Sequence, residues 1–178
     1  MGERYDKIRE LASFAETVAD ADRAPVVVVA GCGTATTVEA LRERDVAAYG
    51  FDTSQSILET AAEPTREFLV EADLRDDDLV DTLRETFDID EIDVLVTECM
   101  LSFVPVDEAE SALARIRETN GVGVLLHQVR SDPPAAAQKG EIDATILSPS
   151  EWRAACDPAG ADVWRDAMER LDLPDDGT

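Results

Sequence analysis

With 178 residues, the chain has the length of one domain. Its 40 Asp and Glu against 16 Lys and Arg leave a net charge of −24. That charge lacks the basic patches that phosphate-backbone recognition needs, so no nucleic acid partner is expected. The longest apolar run, Val26–Ala30, is too short to cross a bilayer, so no membrane partner is expected either.

The elements alternate along the chain. Ile8, Leu11, Ala12, Ala15, Val18 and Ala19 recur at helical spacing. They predict an N-terminal helix within residues 1–24, packed on a domain that occupies 25–172, with 173–178 as a polar tail. Val26–Ala30 is apolar on both faces, as a buried parallel strand should be. Thr36–Arg44 reads as a helix, Ala47–Phe51 as a strand ending at Asp52, and Ser54–Ala62 as a short helix stopped near Pro64. Glu67–Glu71 reads as a strand ending at Asp73, Asp77–Phe87 as a helix, and Ile92–Thr97 as a strand. Asp107 and Glu110 form a capping-box pattern before Ala112, Leu113 and Ile116. Val122–Val129 reads as a fifth strand and Arg130–Glu141 as the one long loop. Ser148-Pro-Ser-Glu151 has an N-cap serine, proline at the first helical position and glutamate at the third. Asp166–Leu171 reads as a final helix. This repeated β-α order predicts an α/β, Rossmann-like doubly wound fold: a mostly parallel sheet with helices on both faces.

Cys32, Cys99 and Cys156 are odd in number, far apart and without metal-site spacing. No metal is expected. No basic, apolar and small-residue leader opens the chain. A reducing, cytoplasmic setting is therefore expected. The acids are spread along the whole chain, and only Lys7 and Lys139 are lysines. Such self-repulsion opposes a compact state unless salt screens it. The pattern resembles proteins of salt-accumulating halophiles.

Candidate binding residues gather at the carboxyl ends of the predicted strands, where doubly wound sheets hold their ligands. Gly31-Cys32-Gly33 follows the first strand, and glycine allows a sharp turn and a close approach to a ligand. A tight β-α turn without any ligand would carry the same residues. Asp52 ends the second strand, placed either to accept both hydroxyls of a ribose or to cap the next helix. Asp73 ends the third, where a carboxylate can accept the exocyclic amine of adenine. Glu98 and His127, the only histidine, end the fourth and fifth strands and are the candidate catalytic residues. Histidine titrates near neutrality, which suits proton transfer, although a hydrogen-bonded structural role competes. For Glu98, positioning or cofactor contact is favoured over base work. Cys99 reads as a small packing residue, and Trp152 and Trp164 as core or lid aromatics.

The ordered blocks "VVVVAGCGTATTVEAL", "YGFDTSQSIL", "EADLRD", "DVLVTECMLSFVP" and "ILSPSEWRAACDPAGAD" resemble the class I S-adenosylmethionine-dependent methyltransferases over residues 25–163. The resemblance implies S-adenosylmethionine as cofactor and methyl transfer to a small-molecule acceptor, or less readily to a protein. By it, Ala30, Gly31, Cys32 and Gly33 would lie along the methionine part, Asp52 and Thr53 at the ribose, and Asp73 and Leu74 at the adenine. Glu98, Cys99 and Met100 would lie beside the methyl group.

Two residues depart from the family pattern. Val29 stands where the family carries an acid that helps hold the cofactor's ammonium. That loss would cost about 1.5–3 kcal/mol unless backbone carbonyls of Ala30 and Glu98 substitute. Ala35 stands for the third glycine and adds only a methyl, which a helix start tolerates. The family's last strand is expected to be absent, which would leave a sheet edge open to a homodimer contact. Two rival functions share these features. An NAD(P)-dependent oxidoreductase has the same loop and strand-two acid, but its GxGxxG pattern would need glycine at Thr36. A degenerate binding or scaffold module accounts for Val29 and Ala35.

Overall fold

The computed structural model describes residues 2–20, 22–98, 100–128, 138, 144–145 and 147–156. Its strands are β1 (Val26–Ala30), β2 (Ala47–Asp52), β3 (Leu69–Glu71), β4 (Ile92–Glu98) and β5 (Val122–Gln128). They form one five-stranded sheet in the order β3-β2-β1-β4-β5, and every pairing is parallel. The strand order reverses at β1, which pairs with β2 on one side and β4 on the other. The crevice at such a switch point is where this architecture places ligands.

Successive side chains of a strand point to opposite faces, so β1 fills two cores at once. Val27 and Val29 enter one core with Ile8 and Phe14 of α1 (Gly2–Val18) and with Val38 and Leu41 of α2 (Thr36–Arg42). Leu58 of α3 (Gln55–Leu58) joins the same layer. Val28 and Ala30 enter the opposite core with Leu79 and Leu83 of α4 (Leu79–Phe87) and Leu113 of α5 (Val106–Glu118). Trp152 of α6 (Pro149–Cys156) completes that layer and is almost fully buried, so it is a core residue and not a lid. Helices therefore cover both faces of the sheet.

Below the switch point, the amino end of β1 is tied to β4. Asp93 accepts from both terminal nitrogens of Arg23, at 2.6 and 2.7 Å, and from the Val26 N–H at 2.7 Å. This tie sits at the end of the strands opposite the glycine loop.

Several boundaries differ from the sequence expectation for identifiable reasons. The helix expected over Ser54–Ala62 is only α3, because Pro64 opens a 3-10 helix (Glu63–Phe68) instead of stopping an α-helix. Proline has no N–H to donate and fits the first turn of a helix. That turn absorbs Glu67 and Phe68 and shortens β3. The capping box expected at Asp107 does not form. Pro105 takes the cap position, and Asp107 lies inside the first turn of α5 with no side-chain cap bond there. By contrast, the box at Ser148 forms. Glu151 N–H donates to the Ser148 hydroxyl at 3.3 Å, and Ser148 N–H donates to the Glu151 carboxylate at 2.8 Å. The Ser148 N–H, together with the Ser148 hydroxyl that donates to the same carboxylate oxygen at 2.7 Å, holds the Glu151 carboxyl below its usual range. Val129, nearly all of the 130–141 loop, the expected 166–171 helix, Trp164, Cys99 and the 173–178 tail lie outside the described residues. So does the stretch on which the expected absence of a last strand depends.

No described helix is long and apolar enough to cross a membrane. The net charge of −24 has a direct consequence for this fold. Raising KCl from about 0.1 to 1 M shortens the Debye length from about 10 to 3 Å. The thermal unfolding midpoint is expected to rise over that range, and a flat or falling midpoint in calorimetry would show that self-repulsion is unimportant here.

Candidate active site

The loop after β1 is shaped by backbone conformation. Gly31 and Gly33 have φ of 70° and 54°, in the left-handed region that favours glycine. Gly31 and Cys32 N–H groups both donate to the Phe51 carbonyl, at 2.9 and 3.1 Å, which stitches the loop to the end of β2. A Cβ on Gly31 would lie 2.6 Å from the Met100 Cβ, so Met100, two residues beyond β4, can approach only because no side chain is there. A Cβ on Gly33 would meet nothing within 4 Å, so this part of the loop borders open space.

Ala35 corrects the expectation that its methyl is simply tolerated at a helix start. It precedes α2 with φ 62° and ψ 19°, in the same left-handed region. There a non-glycine residue carries about 1–2 kcal/mol of strain, and its methyl is fully buried.

Cys32 turns away from the loop's open side. It packs where Gly50 leaves room: a Cβ at residue 50 would lie 2.8 Å from the Cys32 Sγ. Burial, reinforced by the charges of Asp52 and Glu98, pushes the thiol from 9.0 up to about 12. The thiol is therefore inert at neutral pH. In the folded protein it should resist iodoacetamide at pH 8 and react once urea unfolds the chain. The folded state holds this proton more tightly than the unfolded state. The associated stability is thus full below pH 9.0 and is lost as pH rises towards about 12. A Cys32→Ala variant should lose that part of the alkaline slope; an unchanged slope would contradict the burial assignment.

The strand-end acids follow. Asp52 spans two turns: Gly33 N–H donates to its Oδ2 and Ser54 N–H to its Oδ1, both at 3.1 Å. It thus locks the glycine loop to the end of β2. Asp73 is gripped by Arg75. Its Oδ1 accepts from Arg75 N–H and Nε, both at 2.9 Å, and its Oδ2 accepts from Nη2 at 2.6 Å. Arg75 holds the Asp73 carboxyl below its usual range, and bonds Glu108 of α5 at 2.8 Å. A carboxylate offers about four acceptor positions, so this grip leaves Asp73 room for one further donor. Glu98, at the end of β4, accepts from the Thr37 hydroxyl at 2.9 Å.

These residues share one cavity of about 330 Å³, within the range of small-molecule sites. Of the candidate residues, Gly31, Asp52, Thr53, Asp73, Leu74 and Glu98 line it. Ala30, Cys32 and Gly33 support the loop without lining it, and Cys99 lies outside the described residues. Arg75, Met100, Phe103 and Val104 also line the cavity, and Phe103 stands 49% exposed at its rim. Sequence reasoning missed Arg75, although its spacing two residues after Asp73 in "DLRD" is a local signal. It also missed Thr37, whose partner lies 61 residues away and leaves no local signal.

His127 is not brought to the cavity. It is fully buried, and its Nδ1 lies 2.7 Å from the Thr97 hydroxyl. Burial, with a smaller contribution from Arg117, pushes its pKa down to about 3. A histidine that stays neutral inside the sheet has no access to a ligand in this cavity, so the structure gives no support to its candidacy as a catalytic base.

A doubly wound parallel sheet with a glycine loop and strand-end acids in one cavity is the architecture of the Rossmann-like class I methyltransferases. The family model described as a methyltransferase domain matches residues 27–120, and the chain belongs to that family, the class I S-adenosylmethionine-dependent methyltransferases. No curated protein matches the chain significantly.

Among solved structures, DesVI of Streptomyces venezuelae is 19% identical with a TM-score of 0.55, covering 74% of this chain and 53% of its own. CalS10, an amino pentose methyltransferase from Micromonospora echinaspora solved with S-adenosylmethionine bound, is 20% identical with a TM-score of 0.53. That match covers 72% of this chain and 52% of CalS10. The complex between the Haloferax volcanii Trm112 methyltransferase activator and a proposed methyltransferase gives 18% identity and a TM-score of 0.54, covering 92% of this chain and 75% of that one. The chain therefore spans about half the length of DesVI and CalS10.

Proposed function

We propose that this domain binds S-adenosylmethionine in the β1–β4 crevice and supports methyl transfer to a small-molecule acceptor. The observation that carries the reading is the convergence of Gly31, Asp52, Asp73 and Glu98, from four successive strand ends, on one cavity. The residues present suit the cofactor. Gly31 presents bare backbone, Asp52 is placed for the ribose hydroxyls, and Asp73 keeps one acceptor position for the adenine amine. Leu74, almost fully buried, offers an apolar wall beside the base. When bound, the cofactor supplies an electrophilic methyl on a sulfonium for in-line displacement.

The chain's own work is then to hold and orient. Alignment of two reactants supplies much of the rate in such a transfer. In this reading His127 braces β4 against β5 through Thr97 and moves no proton. Met100 and the exposed Phe103 form the apolar rim where an acceptor would meet the cavity. CalS10, named as an amino pentose methyltransferase, is a precedent for a small acceptor on this fold. The even spread of acids and the charge of −24 favour work in concentrated salt.

Buried Val29 and strained Ala35 favour one competing reading, a binding module that has lost transfer. Calorimetric titration of S-adenosylmethionine and S-adenosylhomocysteine in molar KCl tests the shared site, and formation of S-adenosylhomocysteine with candidate small acceptors separates the two. Micromolar binding supports the proposal. No heat from folded protein would overturn it and leave the glycine loop as architecture alone. The oxidoreductase alternative draws no support from the family match.

A further inference from the structure

We propose that the Glu98 carboxylate, aimed by the Thr37 hydroxyl, is the anionic partner of the ligand's α-ammonium group. This assignment rests on the reading of the cavity as an S-adenosylmethionine site. It moves the counter-charge from β1, where residue 29 is an apolar core residue, to the end of β4.

The sheet order sets the geometry. Asp52 and Glu98 are the last residues of β2 and β4, Gly31 and Asp73 lie one and two residues beyond β1 and β3, and the strands lie side by side in the order β3-β2-β1-β4. A ligand with its adenine at Asp73 and its ribose at Asp52 therefore crosses the glycine loop and carries its amino-acid end to Glu98. The Glu98 carbonyl lies 3.8 Å from the position of a Cβ on Gly31, so the two strand ends adjoin.

The other two carboxylates on the wall already use both of their oxygens within the protein. Both oxygens of Asp52 accept backbone N–H groups, and both oxygens of Asp73 are gripped by Arg75. Glu98 spends only Oε1, on Thr37, and among the described residues its Oε2 has no hydrogen-bond partner. Thr37 is 5% exposed and fixed on α2, so it holds one oxygen and leaves the other for a donor. Val29 is fully buried among Val27, Val38 and Leu41 and reaches no ligand. The charge of Glu98 is also felt at Cys32 within the loop. An ammonium brings up to three donors and a full positive charge, the complement of a carboxylate with an unused oxygen.

The test compares two ligands that share a nucleoside thioether. S-adenosylhomocysteine carries the ammonium, and 5′-methylthioadenosine lacks the whole amino-acid end. Both are titrated by calorimetry into the wild type, Glu98→Gln, Thr37→Val and Thr37→Ser in molar KCl. Glu98→Gln should weaken S-adenosylhomocysteine about 10- to 100-fold and leave methylthioadenosine within about twofold. Retained methylthioadenosine binding also shows that the variant is folded. Thr37→Val keeps the charge but loses the aim, so it should weaken only S-adenosylhomocysteine, and Thr37→Ser should restore it. Equal losses for both ligands, no loss in Glu98→Gln, or a wild type that binds both ligands equally well would overturn the assignment while the site reading stands. A folded wild type that binds neither ligand would overturn both.

Discussion

Asp52→Ala is expected to weaken S-adenosylmethionine and S-adenosylhomocysteine about 100-fold or more and to lower stability by about 1–2 kcal/mol. Two separate roles produce the two effects. In the ligand-bound state the carboxylate would accept the ribose hydroxyls, and hydrogen bonds to a charged group contribute about 1.5–3 kcal/mol each. Each 1.4 kcal/mol is about tenfold in affinity, so losing two such bonds reaches that figure. Without ligand, Asp52 already accepts the Gly33 and Ser54 N–H groups. Removing it leaves both to water and loosens the glycine loop. Calorimetric titration reads the first effect and urea unfolding the second. Asp52→Asn separates them, since an amide oxygen can still accept one N–H while the charge is gone. Unchanged affinity in both variants would mean that no ribose rests on the end of β2.

Gly31→Ala is expected to cost about 2–5 kcal/mol of stability and to abolish measurable cofactor binding. Two terms add. A left-handed φ of 70° penalises any side chain, by about 1–2 kcal/mol. The new Cβ would also sit 2.6 Å from the Met100 Cβ. Carbon atoms do not approach that closely, so the β4 end must move, and overpacking of this kind typically costs about 1–3 kcal/mol. The displaced segment includes the wall that carries Glu98 and Met100, which explains why binding should fall with stability. Met100→Ala in the Gly31→Ala background keeps the Met100 Cβ and should recover little, because the overlap is with that atom. Met100→Gly should recover more. If Gly31→Ala unfolds at the wild-type urea midpoint, the close approach of these strand ends is wrong.

The local signals in the sequence were those governed by local physics. Four valines in a row, apolar on both faces, can only be a strand covered on both sides, and Val26–Ala30 is that strand. Glycines at 31 and 33 signalled a loop, and both take the left-handed conformation. Asp52 and Asp73 were legible because each follows a strand and precedes a turn. What could not be read depends on contacts distant in sequence or on a choice between two local solutions. Pro64 can end an α-helix or open a 3-10 turn, and packing decides. Ala35 carries no mark of its left-handed backbone, because the turn back to Cys32, whose carbonyl accepts its N–H at 2.8 Å, imposes it. His127 lies next to the last residue of β5, as an exposed site residue would, but it is fully buried there. The Thr37–Glu98 pair joins α2 to the end of β4 across 61 residues, and no spacing rule anticipates it.

The parallel pairing of β1 with β4 also has a kinetic consequence. Their contact closes a long stretch of chain, as the 61-residue separation of Thr37 and Glu98 shows. By contrast, β1 and β2 meet across the 19 residues between Gly33 and Asp52. Loop closure slows as the span lengthens, and topologies rich in distant contacts fold slowly. The β1–β2 side of the cavity is thus positioned to form early, and the β4 wall to arrive late. A nucleoside fragment would find its footing on the early half, whereas a ligand reaching Glu98 must wait for the sheet to close. The time course of S-adenosylhomocysteine capture during refolding therefore becomes a clock for the docking of β4.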